Sequence, residues 1–168
     1  PSIDGSLVTQ QPLAALGGGL PKPALVGTNK NEGTLFVYSA LQALGLTTLS
    51  AEEYQVILVA LFGEANAASI EQVYPPVSGD NAPVLDQAAT DYLFFCANRH
   101  VAAAGVSPVC PYEFTQLSNF NIWPNVPECA EQVCHAAELP YVFHSPSNIG
   151  ATFTPAREAL WHAAARRE

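Results

Sequence analysis

The stretch from Ala24 to Phe36 constrains the fold more than any other part of the chain. Its first four residues, Ala-Leu-Val-Gly, form a short apolar run between chain-breaking residues. Such a run is typical of a strand that is buried on both faces of a parallel sheet. Apolar residues then recur at helical spacing from Leu35 to Gly45, and glycine suits the left-handed stop of a helix. A buried strand that leads into a helix predicts an α/β fold.

A long helical region follows this first strand. Ser50 and Glu53 form a capping box at the start of an amphipathic helix that ends at Gly63. A weaker helix comes next, and a longer one runs from its cap residue Asn81 to about Ala104. We therefore expect a run of helices between two strands of the sheet.

A second strand is predicted at 109–114, where the residues alternate and are rich in β-formers. Pro111 cannot donate a hydrogen bond to the ladder, which places this strand at a sheet edge or gives it a bulge. Together these elements predict one partial α/β domain over residues 1–168, with a helical insertion at 45–105 between the strands.

The composition excludes several classes of partner. The 168 residues carry 15 acidic and 6 basic side chains, for a formal net charge of −9. Nucleic acids and anionic membranes are bound by clusters of Lys and Arg, so neither is expected as a partner. No apolar run reaches the roughly 18 residues that a membrane span needs, so we predict no transmembrane helix. A basic segment followed by an apolar one is not seen at the start, so no signal peptide is visible.

The first residue is Pro1, and the chain contains no Met. Because translation starts with Met, we expect this polypeptide to be a processed or partial piece of a longer protein.

Cys96, Cys110, Cys129 and Cys134 are even in number, which is consistent with two disulfides. Disulfides persist outside a reducing cytosol, so the pattern predicts a secreted or otherwise extracytoplasmic protein. Four half-cystines allow three connectivities, and the sequence does not choose among them. Pairing neighbours, Cys96 with Cys110 and Cys129 with Cys134, closes the shortest loops. Buried free thiols are the alternative.

Two residues suggest catalytic chemistry. Glu32 leaves the first strand and is followed at once by a glycine, and His135 opens a short apolar segment after a loop rich in Cys and Pro. An acid after a strand and a histidine on a later loop are two parts of a Ser-His-Asp/Glu relay. The third part, a serine in a G-x-S-x-G turn, is not found in the sequence.

Three stretches carry a family pattern in order. Residues 1–8 look like a P-x-x-D-G lead-in, residues 27–36 look like G-x-N-K-D-E-G-x-x-F, and residues 135–143 look like H-G-x-E-x-x-[FY]-V-F. Residues 91–96 and 109–114 also match in type and order the helix and strand between these motifs. The chain thus resembles, over nearly its whole length, the carboxylesterase type B family of α/β-hydrolases, which includes cholinesterases and fungal lipases.

The resemblance implies that this chain is the C-terminal part of an α/β-hydrolase fold and is incomplete on its own. It implies that Glu32 is the triad acid and that His135 is the triad base. Glu138, one turn beyond His135, is expected to be a carboxylate that supports this pair or one on the helix surface, and not a catalytic group. The expected activity is hydrolysis of carboxylic esters, with no cofactor and no metal. The family carries its nucleophile and oxyanion loop upstream, in a missing N-terminal segment. The chain by itself is therefore expected to be inactive.

Two positions depart from the family pattern: Ala136 stands where glycine is common, and Pro111 lies in a strand that usually lacks proline.

Other readings of the cysteines are weaker. Cys129-x4-Cys134-His135 resembles a widened haem-attachment motif, but the spacing is wrong and the chain has no Met for a second axial ligand. Zinc-site spacings are not matched either. The main alternative to an enzyme is a non-catalytic, cholinesterase-like interaction domain.

Overall fold

A computed structural model describes residues 2–16, 22–104 and 107–165. Eight α-helices occur in these ranges: α1 Pro12–Ala15, α2 Glu32–Ala43, α3 Ala51–Phe62, α4 Glu64–Val73, α5 Ala82–Thr90, α6 Cys96–Ala104, α7 Leu139–Val142 and α8 Pro155–Ala165. The other elements are strands β1 Ala24–Asn29 and β2 Val109–Phe114, a π-helical turn Asp91–Phe95, and 3₁₀ turns Pro127–Ala130 and Pro146–Ile149. Within the described ranges, no helix is both long enough and apolar enough to cross a membrane.

Strands β1 and β2 form a parallel pair, as predicted, with Ala24 opposite Val109 and Asn29 opposite Phe114. Helices α2 to α6 lie between them in sequence. The register continues without a break past Pro111, which lies opposite Val26. Of the two predicted situations for this proline, the structure therefore has the edge strand and not the bulge.

The predicted two-sided burial of β1 is wrong for the chain described here. Leu25 is 70% exposed, whereas Thr28 and Asn29 at the end of the strand are buried. A parallel strand is covered on both sides only when helices pack on both faces of its sheet. Helix α6 packs on the two strands, but the face that carries Leu25 has no such cover. The strand is therefore buried only where it approaches the residues that precede α2.

The main apolar core lies between helices α2, α3, α4 and α5. Its buried members are Val37, Leu41, Leu49, Tyr54, Leu58, Ala67, Ala82 and Leu85. A smaller cluster of Val126, Cys129 and Cys134 packs against Leu35 and Trp123. Tyr38 contacts both clusters. Helix α2 thus connects the helical region to the loop that precedes His135.

Helix ends that depend on local chemistry agree with the sequence. The Ser50–Glu53 capping box is present at the start of α3. Gly45 has φ 71° just after α2, and the backbone N–H of Leu46 donates to the carbonyl of Leu41 over 2.9 Å. Helix α2 therefore ends in a Schellman-type turn, with glycine in the left-handed position.

The long helix predicted from Asn81 to Ala104 needs two corrections. It is interrupted by the π-helical turn Asp91–Phe95, which divides it into α5 and α6. Asn81 does not cap α5 with its side chain. Its side-chain amide instead donates to the carbonyls of Val77 and Gly79 in the preceding loop and to that of Leu49. Its oxygen accepts the backbone N–H of Val77 over 2.7 Å. The amide holds that loop together from inside.

A buried polar contact joins α5 to the first turn of α2. The Thr34 hydroxyl donates to Asp86 Oδ2 over 2.5 Å. The Gly33 backbone N–H donates to Thr90 Oγ1 over 2.8 Å, and the Thr90 hydroxyl donates to Asp86 Oδ1 over 3.3 Å. A Cβ at Gly33 would lie 2.3 Å from the Asp86 carbonyl oxygen. Only glycine lets the two helices approach this closely, and Gly33 immediately follows Glu32.

Replacing Asp86 with asparagine is expected to change how stability depends on pH. Burial raises the pKa of the Asp86 carboxyl above its usual 3.8, although the hydrogen bonds from Thr34 and Thr90 lower it in part. The folded state therefore favours the protonated acid. The contribution of Asp86 to stability is fully present below pH 3.8 and is lost as the pH rises through the raised folded pKa. The free energy of unfolding of Asp86→Asn, measured with urea, should thus rise relative to that of the wild type as the pH increases from 4 to 7. An offset that stays constant with pH would contradict this expectation.

Candidate active site

Glu32 is the first residue of α2 and is only 4% exposed. Its Oε1 atom accepts the backbone N–H of Asn29 over 2.7 Å and the side-chain Nδ2 of Asn29 over 3.2 Å. A carboxylate in the first turn of a helix is also favoured by the helix dipole. The short turn between β1 and α2 therefore holds Glu32 rigidly and leaves its second oxygen, Oε2, available to another group.

The loop that carries His135 is joined directly to this turn. The backbone N–H of Asn31 donates to the Val133 carbonyl over 3.0 Å, and the Val133 N–H donates to Asn31 Oδ1 over 3.2 Å. Asn31 also forms a parallel bridge with Cys134. From the other side, Trp123 Nε1 donates to the His135 carbonyl over 2.7 Å. The position of His135 is thus set by main-chain contacts next to the acid.

The structure brings the predicted acid and base into contact. His135 Nδ1 lies 2.6 Å from Glu32 Oε2, although the two residues are 103 positions apart in sequence. The carboxylate is acceptor-only when ionised, so it favours the tautomer in which Nδ1 carries the proton. Nε2 then keeps its lone pair and can accept a proton from another group.

Two aromatic rings pack against the imidazole. The rings of Phe36 and Phe94 each have their centroid 5.2 Å from that of His135. They also lie 5.8 Å from each other. The three centroids thus form a nearly equilateral triangle, so both phenyl rings lie on the same side of the imidazole. The rest of the His135 side chain is open to solvent, and the side chain is 40% exposed.

Glu138, the predicted supporting carboxylate, lies close to the pair without bonding to His135. Its Oε2 atom accepts a hydrogen bond from Asn29 Nδ2, so the amide of Asn29 lies between two carboxylates. Nearby, burial raises the pKa of Tyr112, and the charges of Glu138 and Glu32 raise it further. The ring of Tyr112 covers Gly27, where an added Cβ would lie 2.1 Å from it.

Sequence reasoning missed two of these neighbours. Asn29 lies three residues before Glu32, a spacing that suits a side chain folding back on an acid. Phe94 lies in the π-helical turn, and such turns occur often at functional sites. The spacing of Asn29 from Glu32 was therefore a signal in the sequence, whereas its contact with Glu138 and that of Phe94 with His135 join residues far apart in the chain.

The structure contains one of the two disulfides that the neighbour pairing predicts. Cys129 and Cys134 are bonded, with their Cα atoms 5.5 Å apart. The Cys96–Cys110 pair is a wrong prediction, since both are exposed free thiols. Cys96 begins the helix α6, whose nine residues extend about 12 Å at 1.5 Å per residue. Cys110 follows the far end of that helix, and a disulfide needs Cα atoms within about 7 Å.

Ala136, next to His135, has a positive φ of 70°. A residue with a Cβ atom is strained there, by about 1 to 2 kcal/mol. This conformation gives a physical reason for the preference for glycine that the resemblance places at this position.

We expect Ala136→Gly to increase the free energy of unfolding by about 1 kcal/mol, because glycine adopts this φ without a steric clash. The greater freedom of glycine in the unfolded chain reduces the gain. Thermal or urea unfolding measures the difference. Ala137→Gly is the matched control, since Ala137 is buried and has no positive φ, and it should lower stability. Equal losses for both variants would contradict the assignment of strain.

Residues 1–163 match the carboxylesterase family. A curated relative called "Crystal protein", from Dictyostelium discoideum, is 34% identical over 154 residues, which are 86% of this chain and 27% of that protein. A "cAMP-regulated D2 protein" from the same organism is 31% identical over 159 residues, which are 89% of this chain and 28% of that protein.

Solved structures of esterases share the fold. One PNB esterase structure superposes with a TM-score of 0.62 at 26% identity, over 96% of this chain and 32% of that chain. A thermophilic PNB esterase superposes with a TM-score of 0.64 at 24% identity, over the same shares. The predicted fold class, part of an α/β-hydrolase fold, is therefore confirmed. The chain spans between 27% and 32% of the length of these relatives. With nearly all of its residues matched to one family and its architecture shared with esterases, this chain belongs to the carboxylesterase family.

Proposed function

We propose that this chain provides the acid and the base of a Ser-His-Glu triad in a carboxylic-ester hydrolase. The observation that carries the proposal is the 2.6 Å contact between His135 Nδ1 and Glu32 Oε2. In this proposal His135 is the catalytic base and Glu32 orients it. The serine and the oxyanion donors belong to another part of the full-length protein, which is consistent with the chain spanning 32% of the esterase structures.

The proposed reaction depends on proton transfer at His135 Nε2. A serine hydroxyl is a weak nucleophile near neutral pH, so Nε2 takes its proton as the hydroxyl attacks the ester carbonyl. The same nitrogen then returns the proton to the leaving alcohol. Glu32 keeps the Nδ1 proton in place and stabilises the imidazolium that forms between these two transfers.

The surroundings of the pair support this chemistry. Glu32 is buried and receives two hydrogen bonds from Asn29 on the oxygen that does not face His135. Phe36 and Phe94 cover one side of the imidazole with apolar surface. An apolar group near the scissile bond of an ester would gain free energy by packing on these rings. We therefore propose apolar carboxylic esters as the substrate class.

Labelling by a fluorophosphonate probe tests the proposal, because the probe reacts with a serine that a histidine activates. We expect the full-length protein to be labelled and to hydrolyse a short-chain p-nitrophenyl ester. The isolated chain of residues 1–168 should do neither, since it lacks the nucleophile. A full-length protein that neither reacts with the probe nor hydrolyses the ester would refute the proposal.

A non-catalytic interaction domain is the second candidate. It is favoured by the names of the two curated relatives, which mention no enzymatic activity. The fluorophosphonate experiment separates the two functions, because an interaction domain has no activated serine. The retention of a hydrogen-bonded acid and histidine favours the enzyme.

A further inference from the structure

Asn29 stands out among the buried polar side chains because its amide faces two acids. It is 2% exposed and ends strand β1. Nδ2 donates to Glu32 Oε1 over 3.2 Å and also to Glu138 Oε2. Its backbone N–H adds a third bond, to Glu32 Oε1 over 2.7 Å.

The orientation of this amide follows from its partners. Ionised carboxylates only accept hydrogen bonds, so the NH₂ group of Asn29 must face them and the oxygen must face away. Among the described residues, Asn29 Oδ1 is buried without a hydrogen-bond partner. An unsatisfied buried acceptor destabilises the folded state. Only this orientation of the amide lets both of its N–H groups face the acids. Buried polar atoms without a partner are rare in native proteins, and a catalytic role is one explanation for them.

The bonds from Asn29 also decide which oxygen of Glu32 meets the imidazole. The two bonds that Asn29 donates to Glu32 both end on Oε1, so Oε2 is left to His135 Nδ1. A carboxylate without these donors could rotate and present either oxygen or shift toward solvent. Glu138 would then be a second acid beside Glu32 without an amide between them, and like charges so placed repel each other.

We infer that Asn29 is a positioning residue of the triad, acting through Glu32: its amide separates Glu32 from Glu138 and fixes Glu32 Oε2 against His135. This inference rests on the proposed function for its catalytic consequence. Asn29 affects the reaction only by positioning the Glu32 carboxylate, since Asn29 makes no hydrogen bond to the imidazole.

The test uses Asn29→Asp in the full-length protein, a change of the same size that replaces the NH₂ donor with an acceptor. We expect kcat per active site to fall about 10²-fold, a loss typical of misplacing a catalytic group by about 1 Å, with KM almost unchanged. Titration of active sites with the fluorophosphonate probe corrects for unfolded protein. In the NMR spectrum, the resonance of the His135 Nδ1 proton should move upfield or broaden, because its bond to Glu32 is loosened.

Asn81→Asp is the matched control. Asn81 is as buried as Asn29 and its amide also donates several bonds, but all of them go to carbonyls of its own loop and of Leu49. Asn81→Asp should lower the melting temperature while leaving kcat per active site and the Nδ1 resonance unchanged. A merely structural role for Asn29 predicts the same outcome for both variants.

A second variant keeps the inference testable if Asn29→Asp does not fold. Asn29→Ser is smaller, carries no charge and retains one donor, so it should change kcat and the Nδ1 resonance in the same direction by a smaller amount. An Nδ1 resonance at the wild-type position in a folded Asn29 variant would overturn the inference. This readout requires no turnover. A wild-type protein without esterase activity would therefore refute the proposed function, while the resonance alone would still decide the role of Asn29.

Discussion

Replacing His135 with alanine in the full-length protein is expected to lower kcat for ester hydrolysis by roughly 10⁵- to 10⁶-fold, the loss found when the base of a serine triad is removed. Alanine cannot take the serine proton or return it to the leaving alcohol. The fold should survive, because Trp123 bonds to the His135 carbonyl and not to its ring. Hydrolysis of a short-chain p-nitrophenyl ester measures the loss, and fluorophosphonate labelling should slow in parallel.

His144→Ala is the control for this change. His144 lies 2.7 Å from Glu158, and its ring packs 3.9 Å from the ring of Trp161, away from the proposed triad. This variant should keep kcat within a few-fold of the wild type. If His135→Ala retains the rate of His144→Ala, then His135 has no part in the reaction.

Glu32→Gln is expected to lower kcat by about 10⁴-fold, the loss found when the acid of a serine protease triad becomes an amide. The structure gives a specific reason. Two N–H donors of Asn29 face Oε1, so the glutamine must place its carbonyl oxygen there and its NH₂ toward His135. That NH₂ can only donate to Nδ1, which forces the imidazole proton onto Nε2. Nε2 can then no longer accept the serine proton.

Glu32→Asp separates the loss of charge from the loss of geometry. Aspartate keeps the acceptor but is shorter by one methylene, so it should recover part of the activity that Glu32→Gln loses. The pH profile of kcat/KM and the melting temperature of each variant complete the comparison. Equal activity for Glu32→Gln and the wild type would show that the imidazole is oriented by something other than this acid.

Those parts of the fold that depend on neighbouring residues could be predicted from the sequence. The Ser50 capping box, the turn at Gly45 and the bounds of β2 all agree with the structure. The capping box and the turn are decided by residues within a few positions, and the alternation of β-forming residues marks β2 locally. The exposure of Leu25, the π-helical turn and the free Cys96 were not predicted. They depend on which distant segments cover a strand or reach a cysteine.

The same distinction applies to the candidate site. The sequence identified Glu32 and His135 by their motifs, and the structure brings them together. The contact of Asn29 with Glu138 could not be predicted, because the two residues are 109 positions apart. The placement of Phe94 on the imidazole depends equally on a turn geometry that has no short sequence signature. The motifs identified the two candidate residues, but only the folded chain shows which side chains hold them in place.

The two hydrogen bonds between Asn31 and Val133 affect which segments of the molecule unfold together in local opening. Backbone opening in native proteins occurs in cooperative units, and segments tied by main-chain bonds open together. The acid and the imidazole lie immediately beyond this tie, next to the covalent Cys129–Cys134 link. Local opening of the sheet near the exposed residue Leu25 is therefore not expected to separate Glu32 from His135. Glu32 and His135 are expected to unfold together, as parts of one cooperative unit.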